Sequence, residues 1–303
     1  VALANTGNNT STTLANVIAT VLSRAKDVVE KPTVMSEFVT KVMLEDGDGL
    51  TYNWPKFATK LDAISLSEGT PINNPQKLIP SSRQFTTSEV GVHVVLTDKA
   101  VRVTPERMVA RAGKFMGNAM KRKKETDLLS LFSGLSRDLG AAGQAFNPAF
   151  LSAGYGRLTA ASESGQSEPV EGRVHAVLQN FAYHDILTSG ATLGSNINST
   201  SGYFPIDGIT EELVKNYRLK ELYDCVIALA PLISIDGSDD AVSALFGEET
   251  FILVNTSVSM RMERERDIFL RGEAMVITSE YGTGELDDQF GIKITHDATA
   301  PVA

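Results

Sequence analysis

The residues able to do chemistry are scattered along this chain. His93, His175, His184 and His296 fall in separate stretches, with no HExxH pair and no Cys/His cluster, so the spacing offers no metal site. Asp46-Gly47-Asp48-Gly49 resembles the start of a calcium loop. Its twelfth position is Phe57, where a bidentate Glu is needed, and its sixth is not glycine, so a plain turn is the better reading. Cys225, the single cysteine, precedes an apolar run and reads as a structural thiol. No P-loop, GxGxxG or GxSxG is present, and Gly282-Thr283-Gly284 reads as a turn between strands. Lys121-Arg122-Lys123-Lys124 could touch nucleic acid, but four successive helical residues point to all sides of a helix, which suits a solvated or inter-subunit face. Arg261, Glu263, Arg264, Glu265 and Arg266 alternate in sign, as on the surface of a subunit contact. No catalytic set, cofactor site or metal site emerges, and no enzyme is expected.

The elements that hold these residues are more telling. A long helix is expected at Pro105–Ser133, with Thr104 as N-cap, Pro105 in the first helical position and Glu106 at the positive end of the dipole. Met108, Ala112, Phe115, Met116, Ala119, Lys123, Thr126, Leu129 and Phe132 mark its stripe, which is polar in the middle. At a rise of about 1.5 Å per residue it is a rod of roughly 43 Å. Gly113 and Gly117 on it suit close packing against another backbone. Upstream, Glu45–Glu89 is rich in Gly, Pro, Ser, Thr and Asn, and leads to a period-two strand through Val90, Val92, Val94 and Leu96. Leu44 to Leu96 therefore reads as one long two-stranded excursion, which is marginally stable alone and should lie on a neighbour. Leu14, Val17, Ile18, Val21, Leu22, Ala25, Val28 and Val29 give an amphipathic helix with no apolar partner nearby.

Further helices are expected from Asn147 to about Ser162 and after Thr210, with buried strands at Val174–Leu178, Val226–Ala230 and Phe251–Asn255. Asp236–Asp240 reads as an acidic surface turn. Met260–Arg266, Glu273–Ser279 and Gly291–His296 are expected to close the chain as an antiparallel meander. The mixture lacks a βαβ cadence, so the fold class is α+β.

Composition bounds the function. The 303 residues are 42% hydrophobic and 21% charged, enough for a sizeable core. A net charge of −9 disfavours a surface that grips nucleic acid but allows one that encloses it. Val1–Thr13 has no Lys or Arg and no long apolar core, unlike a secretory signal, and the apolar run Cys225–Ile235 is too short to span a bilayer. A cytosolic protein with no membrane partner is expected.

The order of parts resembles the major capsid proteins of tailed bacteriophages, the Hong Kong 97-type fold. "EGTPI" (Glu68–Ile72) looks like that family's loop-turn element. Gly91–Gly134 looks like its strand, Thr-Asp turn and spine helix; "VHAVLQNFAYHDIL" (Val174–Leu187) looks like its axial strand and helix; "GIKITHDATA" (Gly291–Ala300) looks like its closing strand. The resemblance implies an N-terminal arm at 1–33 and a peripheral domain at 34–136, with an E-loop at 45–89 and a spine helix at 105–133. An axial domain at 137–257 and a returning peripheral sheet at 258–303 complete it. It further implies hexamers and pentamers closing into an icosahedral virion shell around double-stranded DNA, assembled in the host cytoplasm with scaffolding, portal and decoration proteins. The alternatives are an encapsulin-like compartment, a soluble enzyme of unknown reaction, and a nucleic-acid module using Lys121–Lys124. Inter-subunit contacts are expected at Val17 and Val21 in the arm, Trp54, Lys56, Glu68 and Arg83 in the loop, and Arg264 and Arg266 in the last sheet. Some members crosslink a loop lysine to an asparagine; Lys56, Lys60 and Lys77 lie in this loop, and non-covalent assembly is the expectation.

Overall fold

Two sheets share one core, and a long helix lies across their junction. The computed structural model describes residues 33–57, 63–69, 71, 75–77, 80–103, 108–160, 169–170, 172–186, 221–257 and 260–301. The expected arm helix around Val17 and Val21, the cap at 104–107 and the helix after Thr210 lie outside these residues.

The chain enters through a short helix α1 (Met35–Phe38) and strand β1 (Thr40–Leu44). A two-stranded ribbon follows, β2 (Thr51–Phe57) against β3 (Pro80–Thr86), as the excursion predicts. The period-two stretch forms β4 (Ser88–Thr97), but it leaves the ribbon and pairs over its length with β12 (Gly272–Glu285). The five-stranded sheet is completed by β10 (Phe251–Thr256), parallel to β1 and antiparallel to β12, and by β11 (Arg261–Asp267) at the edge.

The second sheet has six strands. Its order runs β5 (Asp138–Gly140), β13 (Gly291–Asp297), β9 (Asp240–Phe246), β6 (Val174–Leu178), β8 (Cys225–Leu229), β7 (Glu221–Leu222). This overturns the expected meander: β11 and β12 are a hairpin, whereas β13 joins β9 and β5. The division at 137–257 and 258–303 therefore does not follow the sheets, because β10 and β13 each lie in the sheet opposite to the one expected. The turn expected at 282–284 is part of β12, near its C-terminal end, and the strand β9, absent from the expectations, is central to the second sheet. Its Asp-Ala-Val-Ser-Ala-Leu-Phe sequence is short of large β-formers, yet its neighbours bury nearly all of it.

The long helix is described from Met108 onward, its expected start at Pro105 lying outside the described residues. A helix α2 (Asp98–Val103) stands where a turn is predicted, and the rod itself, α3, is Met108–Ser130, ending in a 3-10 turn at Leu131–Gly134. Its buried face is Met116, Met120, Glu125, Leu128, Leu129 and Phe132, whereas Phe115, Lys123 and Thr126 face solvent. Met116, Leu129 and Phe132 of the expected stripe are buried, and packing against β4 and β12 adds Met120 beside Met116. No atom lies within 4 Å of a Cβ at Gly113 or Gly117, so their close packing is not made within the described chain. At the far end Phe132 joins the sheets, its ring 5.9 Å from Phe246 of β9 and 5.7 Å from Phe251 of β10. A further helix α4 (Ala149–Thr159) covers the six-stranded sheet through Leu151 and Leu158.

Candidate assembly surface

The ribbon is fixed to its own chain along its paired length. Tyr52 and Trp54 pack on the cluster of Leu44, Phe85, Ile252, Val254 and Leu286. Phe85 lies over Gly284, where a Cβ would meet its ring at 2.4 Å, so the glycine is what lets the ribbon seat on β12. Arg83 donates to the Glu285 carbonyl at 2.7 Å and pairs with its carboxylate at 3.0 Å. Lys56 pairs with Asp287 at 2.5 Å. Lys56 and Arg83, expected between subunits, thus have partners in their own chain. The far part of the ribbon, by contrast, carries exposed Ile64 and Leu66 and the Glu68-Gly69 turn.

The same holds at the last sheet. Arg264 pairs with Glu273 and Arg266 with Asp98 at 3.0 Å, both across exposed surface within the chain. Arg261 is paired with Glu263 on its own strand. The β11–β12 turn then displays Ile268 and Phe269, the latter 98% exposed. The sequence reading missed these two because a single apolar pair between charged neighbours carries no periodic signal.

The basic run 121–124 divides by helix face. Lys123 pairs with Asp127 one turn on. Lys124 turns inward, donating to Asn255 Oδ1 at 3.0 Å with its ammonium 4.7 Å from the centre of the Tyr281 ring, and burial lowers its pKa. Tyr281 donates to Asp127 at 2.8 Å, which closes the cluster. These residues tie the rod to the five-stranded sheet.

The remaining reactive types are structural. Burial pushes the Cys225 thiol up to about 12, leaving it without thiolate character near neutral pH. His175 is buried and stacks on Phe38, with ring centres 4.5 Å apart. His296 is buried between β13 and β9, its Nδ1 2.9 Å from the Asp297 carbonyl and its Nε2 2.9 Å from Ser243 Oγ. A carbonyl can only accept, so Nδ1 carries the proton and Nε2 accepts from Ser243. Asp46 accepts from Ser257, and Gly47 and Gly49 adopt positive φ, a turn as expected. Among the described residues no group of three His, Cys, Asp or Glu is placed to hold a metal ion. A groove of about 300 Å³ beside the end of α3 is lined by Leu129, Phe132, Ile233, Val242, Asp236 and Asp240.

No protein-family model matches the chain, and no curated protein matches it. Its shape does find counterparts. The head of Helicobacter pylori bacteriophage KHP40 is 11% identical with a TM-score of 0.70, the match covering 98% of this chain and 100% of that one. The capsid of Cyanophage P-SCSP1u is 13% identical with a TM-score of 0.63, covering 98% and 97%. The chain has the Hong Kong 97-type capsid fold. An encapsulin of the holo-SrpI complex from Synechococcus elongatus PCC 7942 shares it, at 9% identity and TM-score 0.63, covering 100% and 99%.

Proposed function

We propose that the protein is a major capsid protein of a tailed bacteriophage. It assembles with itself as hexamers and pentamers into an icosahedral shell that encloses double-stranded DNA in the virion. One observation supports this most: Lys56–Asp287 and Arg83–Glu285 hold the β2–β3 ribbon on its own chain, yet Ile64 and Leu66 in the stretch between its strands are exposed. A ribbon held this way is built to lie on another copy. The five-stranded sheet with the spine helix is the peripheral domain and the six-stranded sheet the axial domain. Val17, Val21, Trp54 and Glu68 are proposed contact residues, and Lys56, Arg83, Arg264 and Arg266 set the shape of the contact surfaces from within. Scaffolding, portal and decoration proteins are the further partners, and assembly in the host cytoplasm is non-covalent. The formal charge of −9 suits a wall that does not grip the packaged polymer.

The encapsulin match supports a second reading, a compartment shell around protein cargo. Sizing and negative-stain microscopy of expressed protein, alone and with the scaffolding protein of its phage, test the shell. Closed particles are expected, and small discrete oligomers under every condition contradict it. Nuclease-protected DNA in particles from infected cells selects the capsid; protein cargo without DNA selects the compartment.

A further inference from the structure

The long helix carries a charge pattern that its packing does not use. From 107 to 124 the sequence has seven lysines and arginines and no acid, in a chain whose formal charge is −9. Two of the seven are taken up by the body: Lys123 pairs with Asp127, and Lys124 donates to Asn255 over the Tyr281 ring. At about 100° per residue, Lys114, Asn118, Lys121 and Arg122 share an arc of about 100° on α3, opposite Met116 and Met120, which pack on β4 and β12. Lys114, Lys121 and Arg122 are exposed. Beside them stand Gly113 and Gly117, with no atom within 4 Å of where a Cβ would be, so this flank of the helix is open.

We propose that this strip of α3 lies against the phosphate backbone of the enclosed double-stranded DNA, with Lys114, Lys121 and Arg122 as the phosphate contacts. This rests on the shell reading and deepens it by naming a face of the wall that touches the polymer. Lys114 and Lys121 stand about 10 Å apart along the axis, seven residues at a rise of about 1.5 Å. A duplex carries about one negative charge per 1.7 Å of its own axis, so side chains this long find phosphates at any register. Contacts of that kind position the polymer and read no sequence. The open glycine flank gives a wide rod room to come up to the helix backbone.

Charge selects DNA over an acidic protein segment. Protein surfaces offer carboxylates singly and among cations, as on β11, where Arg264 and Arg266 are matched by Glu273 and Asp98. A run of one sign from 107 to 124 matches instead a polymer that is negative along its whole length. The attraction per copy is small. Three cations neutralise about three phosphates, and binding of this kind lets a protein slide along DNA. The strip therefore holds packaged DNA near a wall that is acidic elsewhere, without fixing it in place.

The test has two arms. In the first, a mixed-sequence DNA duplex is titrated with the unassembled full-length chain between about 50 and 200 mM salt. Three contacts give a slope of log affinity on log salt of about −2.7, a fall of about fortyfold over that range. Each of Lys114→Gln, Lys121→Gln and Arg122→Gln should take about 0.9 from the slope. Lys123→Gln, whose lysine is held by Asp127, should leave it unchanged. No binding at the low-salt end, or a triple variant with the parent's slope, overturns the proposal. Binding of polyglutamate in preference to the duplex also overturns it, in favour of a protein partner. In the second arm, DNA-filled particles are treated with formaldehyde and the joined peptides mapped by mass spectrometry. Crosslinks to DNA at Lys114 and Lys121 are expected. DNA-filled particles with none on α3 overturn the strip and leave the shell reading standing. Failure of the unsubstituted chain to form shells under any condition overturns both.

Discussion

Glu125 Oε1 accepts a hydrogen bond from the backbone N–H of Met35 at 2.9 Å, although 90 residues separate the two and both are buried. The same oxygen takes the N–H of Val34 at 2.7 Å. Both donors stand at the start of α1, where no helical partner exists, and α1 has no side-chain cap of its own. An acid on the spine helix thus caps a helix far away in sequence, fixing where the preceding segment enters the body. Glu125→Ala leaves both donors in the core without a partner and should cost about 3 kcal/mol in urea unfolding, with Glu125→Gln losing about 1 because an acceptor remains. An alanine variant within error of the parent would show that the contact is not stabilising.

Acid sensitivity should come from two histidines. Burial is the largest influence on both His175 and His296 and lowers their pKa from 6.5, outweighing the opposing pull of Glu248 on the first and of Asp297, Asp185 and Asp240 on the second. In the folded chain they stay neutral where the unfolded chain already binds protons. Stability is therefore full above the unfolded value near 6.5 and falls as the pH drops below it toward the folded values. His296→Gln should be less stable at pH 8, because the Ser243 and Asp297 contacts are disturbed, yet lose less between pH 7 and 5 than the parent. Thermal melts over that range check the slope; a parent whose melting point rises on acidification has the sign wrong.

These contacts also show where sequence reading reaches its limit. The order of parts, the ribbon and the strand at 88–97 were legible, because apolar period and turn residues are local signals. The sheet membership of β10 and β13 was not, since a run such as Phe-Ile-Leu-Val-Asn suits either sheet and only register across the chain decides. Glu125 was hidden for the same reason: in sequence it is one more charge beside Lys124, and its burial depends on backbone donors that lie 90 residues away. Lys56 and Arg83 were expected between subunits, and their partners in the chain were hidden; Glu285 and Asp287 sit at and just past the end of the long strand β12, beyond the range of local pattern.

Gly284 should be intolerant of any side chain. A Cβ there would lie 2.4 Å from both Cδ1 and Cε1 of Phe85, and the Phe85 ring is part of the cluster that seats the ribbon. Gly284→Ala must displace the ring or part β3 from β12, at about 1–3 kcal/mol. Pairing the change with Phe85→Leu should recover part of the loss. Equal and additive costs of the two substitutions would mean that they do not act through this contact.

The ribbon anchors separate stability from assembly. Arg83 is the more exposed of the two cations, and Lys56 pairs with a largely covered Asp287. Partly exposed pairs of this kind contribute about 0–1 kcal/mol each, so Lys56→Ala and Arg83→Ala together should barely move the unfolding midpoint. Their effect on shape is larger in proportion. A two-stranded ribbon has almost no core of its own, so its direction depends on its contacts with the end of β12 and the residues after it. Releasing Asp287 and Glu285 leaves the aromatic seat of Tyr52, Trp54 and Phe85 as a hinge about which the ribbon can swing. The double variant should thus melt within a few degrees of the parent but assemble slowly and into irregular particles. Charge reversal tests the cause: Lys56→Asp with Asp287→Lys restores the pair in the opposite sense and should recover particle shape, which a general loss of surface charge would not explain.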